Sequence, residues 1–75
     1  MNSQPRITTD YQVMLGKPII NGTRITVELV LRKMAQGATA NDLLAMYPHL
    51  SNDDVLACLD YAADLAANEE TIRAA

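Results

Sequence analysis

The side chains with nucleophilic, acid–base or metal-ligating character are few in this 75-residue chain, and their spacing suits them poorly to joint work. His49 is the single histidine and follows Pro48 in what reads as an inter-helix turn. An imidazole there ordinarily meets solvent or a hydrogen-bond partner. Cys58 is the single cysteine. It closes no disulfide within the chain, and a His/Cys metal site needs ligands from two or more protomers. Asp53 and Asp54 are adjacent, but neighbours on a helix point about 100° apart and do not converge on one substrate. As the first acids of a helix they complement its dipole instead. Gly16-Lys17 lacks the spacing and the following Ser or Thr of a phosphate-binding loop. Cys58 falls mid-helix on an apolar shoulder, the place of a small hydrophobe. The sequence therefore predicts no catalytic residue, no metal, no cofactor and no enzyme.

What remains is electrostatic. Residues 1–36 carry five basic and two acidic side chains, a net of +3; residues 37–75 carry one basic and seven acidic, a net of −6. Lys17, Arg24, Arg32 and Lys33 are the candidates for contact with promoter DNA or a protein partner. A solvated basic face that only aids solubility is the competing reading. The opening MNSQPRITTDYQ has no apolar export region, and no apolar run approaches the ~20 residues of a membrane span. The expectation is a cytoplasmic protein without a membrane role, in which Asn21-Gly22-Thr23 is a turn rather than a glycosylation site.

Asn-Gly suits a type I′ hairpin turn with φ > 0 at both central positions. Ile19-Ile20 and Arg24-Ile25 are then the arms, with Pro18 at a strand start where its missing N–H does least harm. A further extended segment is expected at Ile7-Thr8 or at Val13-Met14-Leu15. An isolated hairpin is marginal in water, so this ribbon packs on its own helices or pairs with another chain. The first helix runs from an N-cap at Thr26 to a C′ glycine at Gly37. Val27, Val30, Leu31, Met34 and Ala35 share its inner face, and Glu28 and Arg32 form an i,i+4 pair outside. Leu29 falls on the polar side, where it is solvated, tucked under the hairpin, or set against a partner.

Thr39 and Asp42 have the spacing of a capping box with Asp for Glu, opening a helix from Ala40 to Met46 that Pro48 stops. Ser51 to Asp54 repeats the pattern and opens the longest helix, Asn52 to Asn68. Its polar stripe is Asp53, Ala57, Asp60 and Asp64. The apolar arc spans about 220° and is centred on Val55, Leu59, Ala62 and Ala66. Cys58, Tyr61 and Leu65 form one shoulder, and Leu56 and Ala63 the other. Two short neighbours cannot cover so wide an arc. Leu29, Leu56, Cys58, Tyr61 and Leu65 are therefore the candidate oligomer or partner interface, and a homodimer is expected because a chain this small has a small core. The fold class is mostly α: a single domain, residues 1–75, with a β ribbon over 1–25, a three-helix helix-turn-helix core over 26–68 and a short tail over 69–75.

The stretch GKPIINGTRITVELVLRKMAQGATANDLLAMYPHLSNDDVLACLDYAA resembles a bacterial family named domain of unknown function 433 (DUF433). Gly16, Lys17, Pro18, Ile19, Gly22, Thr23, Arg24, Ile25, Val27, Gly37, Tyr47, Pro48, Leu50, Asp54, Leu59, Tyr61 and Ala62 fall in register, and the likeness covers roughly residues 7–67. It implies a homeodomain-like three-helix fold after an N-terminal β segment. It also implies an antitoxin of the VapB type, encoded beside a PIN-like nuclease toxin. Such antitoxins usually carry a long toxin-wrapping extension, whereas only a short tail follows Asn68 here, so the folded domain must hold much of the interface. Arg24, and secondarily Arg73, are the cations expected to compete with metal at the nuclease's acidic site. The alternatives are a DNA-binding regulator without a toxin, or a plain dimerisation module. DNA binding sits awkwardly with Ser51, Asn52, Asp53 and Asp54 at the start of the helix that would enter the major groove.

Overall fold

The computed structural model describes the backbone of residues 6–74, with side chains through residue 68. Two short strands, β1 (Ile7–Thr8) and β2 (Ile19–Ile20), precede three helices, α1 (Val27–Ala35), α2 (Ala40–Met46) and α3 (Asn52–Ala74). The strands pair antiparallel, Ile7 opposite Ile20 and Thr8 opposite Ile19. The fold is the three-helix, helix-turn-helix arrangement with a short N-terminal ribbon that the sequence predicts.

The ribbon differs in detail. The segment after the Asn-Gly turn contributes a single bridge, Ile19 to Thr26, and β1 supplies the regular strand partner instead. Only Gly22 of the two central residues has positive φ, at +83°, so the turn carries the type II signature rather than type I′. Thr23 explains why. Its N–H and its hydroxyl both donate to the Ile20 carbonyl, and its Oγ1 accepts from Ile25 N–H. The loop is thereby widened, and Ile20 N–H closes it on Ile25 O at 2.9 Å.

Val13–Leu15 is not an extended segment. Met14, Leu15 and Gly16 form one left-handed turn with φ of 53°, 56° and 83°. Left-handed backbone costs a side-chain-bearing residue roughly 1–2 kcal/mol. The surrounding bonds offset that cost: Gln12 N–H donates to Asp10 Oδ1, and Val13 and Gly16 N–H both donate to Asp10 O.

The helix ends are local chemistry. Thr26 Oγ1 accepts Leu29 N–H, and Val27 N–H donates to Pro18 O, which docks α1 onto the ribbon. Past Ala35, Gly37 N–H returns to Met34 O and Ala38 N–H to Lys33 O, a Schellman closure about Gly37 at φ +107°. Thr39 and Asp42 exchange both bonds of a capping box, as do Ser51 and Asp54. The core is Ile20, Val27, Val30, Leu43, Leu50, Val55 and Cys58.

Two expectations for α3 are corrected. It continues past Asn68 to Ala74, and its buried face centres on Val55 and Cys58 rather than on Leu59, which is 41% exposed. The reason is length and register. At 1.5 Å per residue, α1 and α2 span about 13 and 10 Å against about 34 Å for α3, so they cover one side of its first half. The covered side begins at the helix start, where Asp54 and Val55 are both buried. The described residues from Ala63 to Asn68 are all exposed.

Candidate partner-binding surface

Two surfaces flank α3. On one side, α1 and the second half of α3 enclose an open groove of about 450 Å³ floored by Pro18, Val27, Leu31, Ala35, Tyr61 and Leu65. Lys17, Glu28 and Arg32 form its rim. Lys17 Nζ donates to Glu28 Oε1 at 3.1 Å and Arg32 Nε to Glu28 Oε2 at 2.9 Å. Those bonds, Arg32 first and Lys17 second, hold the Glu28 carboxyl below the ordinary glutamate value. Two cations share one carboxylate, which leaves the rim with one net positive charge. The opposite side of α3 carries an apolar stripe, Leu56 (54% exposed) and Leu59 with Ala63 and Ala66.

The candidate interface residues divide accordingly. Tyr61 and Leu65 line the groove, Leu56 lies on the stripe, and Leu29 is half-buried on α1. Cys58 leaves the set. It is fully buried in the core, where its side chain reaches no partner, and burial together with the Asp54 charge pushes its thiol up to about 11. The basic candidates also separate. Lys17 and Arg32 are engaged with Glu28, whereas Arg24, exposed on the turn, and Lys33, half-buried on α1, make no ion pair among the described residues. Arg24 also edges an open concavity of about 430 Å³ of mixed lining, with Thr8, Asp10, Val13, Ile19 and Thr23. The side chain of Arg73 lies outside the described residues.

Arg6 is the residue that spacing does not reveal. Its Nη1 donates to Asp54 Oδ1 at 3.0 Å, and Nη2 lies 3.5 Å from Asp53 Oδ2. Burial alone raises the Asp54 pKa, but the Ser51 N–H, the Arg6 guanidinium and the Ser51 hydroxyl together outweigh it and hold the carboxyl below the ordinary aspartate value. The start of α3 therefore presents a carboxylate pair clamped by one arginine. Tyr11 and Leu15, both strongly exposed around the left-handed turn, were equally hidden, because two consecutive left-handed residues other than glycine leave no mark in composition or periodicity.

Chemically this surface can bind, by apolar contact and by charge. His49 is exposed in the α2–α3 turn. Among the described residues no group of three or more His, Cys, Asp or Glu is placed to hold a metal ion, and no helix is long and apolar enough to cross a membrane. Residues 7–62 match the sequence profile described as "Protein of unknown function (DUF433)". The chain belongs to the DUF433 family. The crystal structure of a DUF433 member protein from Anabaena variabilis ATCC 29413 superposes with a TM-score of 0.80 at 30% identity, over 96% of this chain and 71% of that one. No curated protein matches the sequence. That likeness extends to a solved family member the arrangement described above, a ribbon leading into three helices.

Proposed function

We propose that this DUF433 protein is a cytoplasmic antitoxin-type adaptor of the VapB kind that binds and inhibits a PIN-type nuclease and represses its own operon. The observation that carries the reading is the uncovered Leu56–Leu59 stripe on a helix already anchored by its other face. Exposed apolar stripes of this sort, rimmed by polar residues, serve protein contact. Arg24 supports it: an exposed guanidinium on a tightly bonded turn, with no ion pair among the described residues, suits an acidic metal-binding cleft. The protein has no catalytic role of its own in this reading. The test is co-purification of the untagged chain with its tagged genomic neighbour through a high-salt wash. Stoichiometric recovery that is lost in Leu56→Asp, with both proteins folded, supports the stripe. Failure of the wild-type pair to co-purify sinks the adaptor reading. Arg24→Ala should keep the fold and weaken nuclease inhibition, and unchanged inhibition removes Arg24 from the account.

A second reading, a DNA-binding regulator without a toxin, draws on the helix-turn-helix order of α2 and α3 and on the unpaired Arg24 and Lys33. The clamped carboxylates at the start of α3 weigh against the usual docking, since phosphates repel them. Promoter affinity that falls steeply with salt, with a slope flattened by Arg24→Ala or Lys33→Ala, supports it; weak binding indifferent to salt removes it.

A further inference from the structure

We propose that the groove between α1 and α3 is the seat of a second copy of this chain, so that two protomers join through α3 as an antiparallel four-helix arrangement. The inference is independent of the nuclease reading, because the Leu56–Leu59 stripe lies roughly opposite the groove around α3 and stays uncovered in the pair.

Three observations identify the occupant. The first is the overhang. α3 runs to Ala74, whereas the core ends with Cys58 and the half-buried Tyr61 and Ala62. About three turns thus project beyond the cover of α1 and α2. Helices this short are marginal in water without an apolar face packed against something. The groove runs along α1 to the edge of that cover, where Leu65, 55% exposed, lines it.

The second is the order of side chains around α3. At about 100° per residue, Cys58 points into the core, Tyr61 and Leu65 come next, and Asp64 and Asp60 follow. A second α3 laid antiparallel against Tyr61 and Leu65 meets the same two residues across a two-fold axis, as an isologous contact requires. The next sector, Asp64 and Asp60, then faces α1 of the partner subunit. The third observation is charge. That α1 presents the groove rim, where Lys17 and Arg32 share Glu28 and leave one positive charge over. Asp60 and Asp64 are exposed and make no ion pair among the described residues. One protomer holds both halves of the match, so the closed pair satisfies each rim once. A head-to-tail chain of copies, by contrast, leaves an open end.

The test is sedimentation equilibrium and multi-angle light scattering on the full chain, with circular dichroism as the control for folding. Wild type should reach twice the 8.2 kDa chain mass. Leu65→Glu, at an exposed position beyond the core, should keep the helical spectrum and raise the dimer dissociation constant more than tenfold. Asp60→Lys with Asp64→Lys in one variant, and Lys17→Glu with Arg32→Glu in another, should each be monomeric alone and form a heterodimer when mixed. The proposal is overturned if wild type stays at 8.2 kDa at roughly 100 µM, a concentration at which a partner-sized interface is expected to be populated. It is equally overturned if folded Leu65→Glu dimerises like wild type, or if the two charge-reversed variants fail to pair on mixing.

Discussion

Replacing Asp54 with alanine should destabilise the fold by about 2–3 kcal/mol, although the residue touches no proposed partner. Asp54 is 8% exposed, and its carboxylate carries two jobs at once. One oxygen accepts the Ser51 N–H at 3.0 Å and completes the cap of α3; the other accepts Arg6 Nη1 at 3.0 Å. A hydrogen bond to a charged group contributes about 1.5–3 kcal/mol, and a helix cap about 1 kcal/mol. The Arg6 bond stands at the low end, because that guanidinium is 49% exposed and solvent-screened. A domain of this length is stable by roughly 4–11 kcal/mol in all, so the loss is a large share. The melting temperature should fall by about 10–20 °C. Asp53→Ala, at a 69% exposed carboxylate 3.5 Å from the same arginine, should cost about 0.5 kcal/mol or less. The pH dependence has a fixed sign. A carboxyl whose folded pKa lies below its unfolded value stabilises the protein at pH above the unfolded value, near 4, and that contribution fades as pH falls through the folded one. Wild type should thus lose stability on acidification, and Asp54→Asn should lose less. Urea denaturation at pH 7 and pH 3 reads both effects. Equal costs for Asp53→Ala and Asp54→Ala, or parallel pH profiles for wild type and Asp54→Asn, would refute the account.

Gly37→Ala should cost about 1–2 kcal/mol in urea denaturation: nothing lies within 4 Å of an added Cβ, so the loss is the backbone cost of φ +107° at the end of α1. An unchanged midpoint would show that the Schellman closure is dispensable. Cys58, fully buried with its thiol pushed up to about 11, should resist a disulfide reagent at pH 8 and react at a rate that follows opening of the fold. Labelling as fast as a free peptide thiol would place it outside the core.

What could be read in the sequence was whatever is decided within a turn of helix. The caps at Thr26, Thr39 and Ser51 rest on hydrogen bonds between residues three apart, the stop at Pro48 on a ring that disfavours helical backbone in the residue before it, and α2 lies between Ala40 and Met46 as expected. The strand partner of Ile19–Ile20 and the direction in which α3 turns its wide apolar arc are tertiary choices. Val55 and Leu59 are equally apolar neighbours on that arc, yet only the placement of two short helices decides that Leu59 is left outside. The same holds for the surface. Basic residues on the ribbon and α1 were visible, as was the Glu28–Arg32 pair one turn apart, but not that Glu28 would also take Lys17 while Arg24 makes no ion pair among the described residues, nor that Arg6 would clamp a helix 48 positions away.

That clamp bears on the order in which the molecule is made. Arg6 leaves the ribosome well before Asp54, and at about 5–20 residues per second the interval is roughly 2–10 s. Hairpins and helix turns form within microseconds, so the ribbon, α1 and α2 sample their contacts many times before the third helix exists. A nascent chain halted once α2 has emerged holds Ile20, Val30 and Leu43 without the Val55 and Cys58 that complete their core, and its Arg6 has no carboxylate to clamp. Emergence of the long helix thus completes the core and supplies both carboxylates of the Arg6 clamp together, and a chain cut short of it leaves the apolar side chains that Val55 and Cys58 cover exposed.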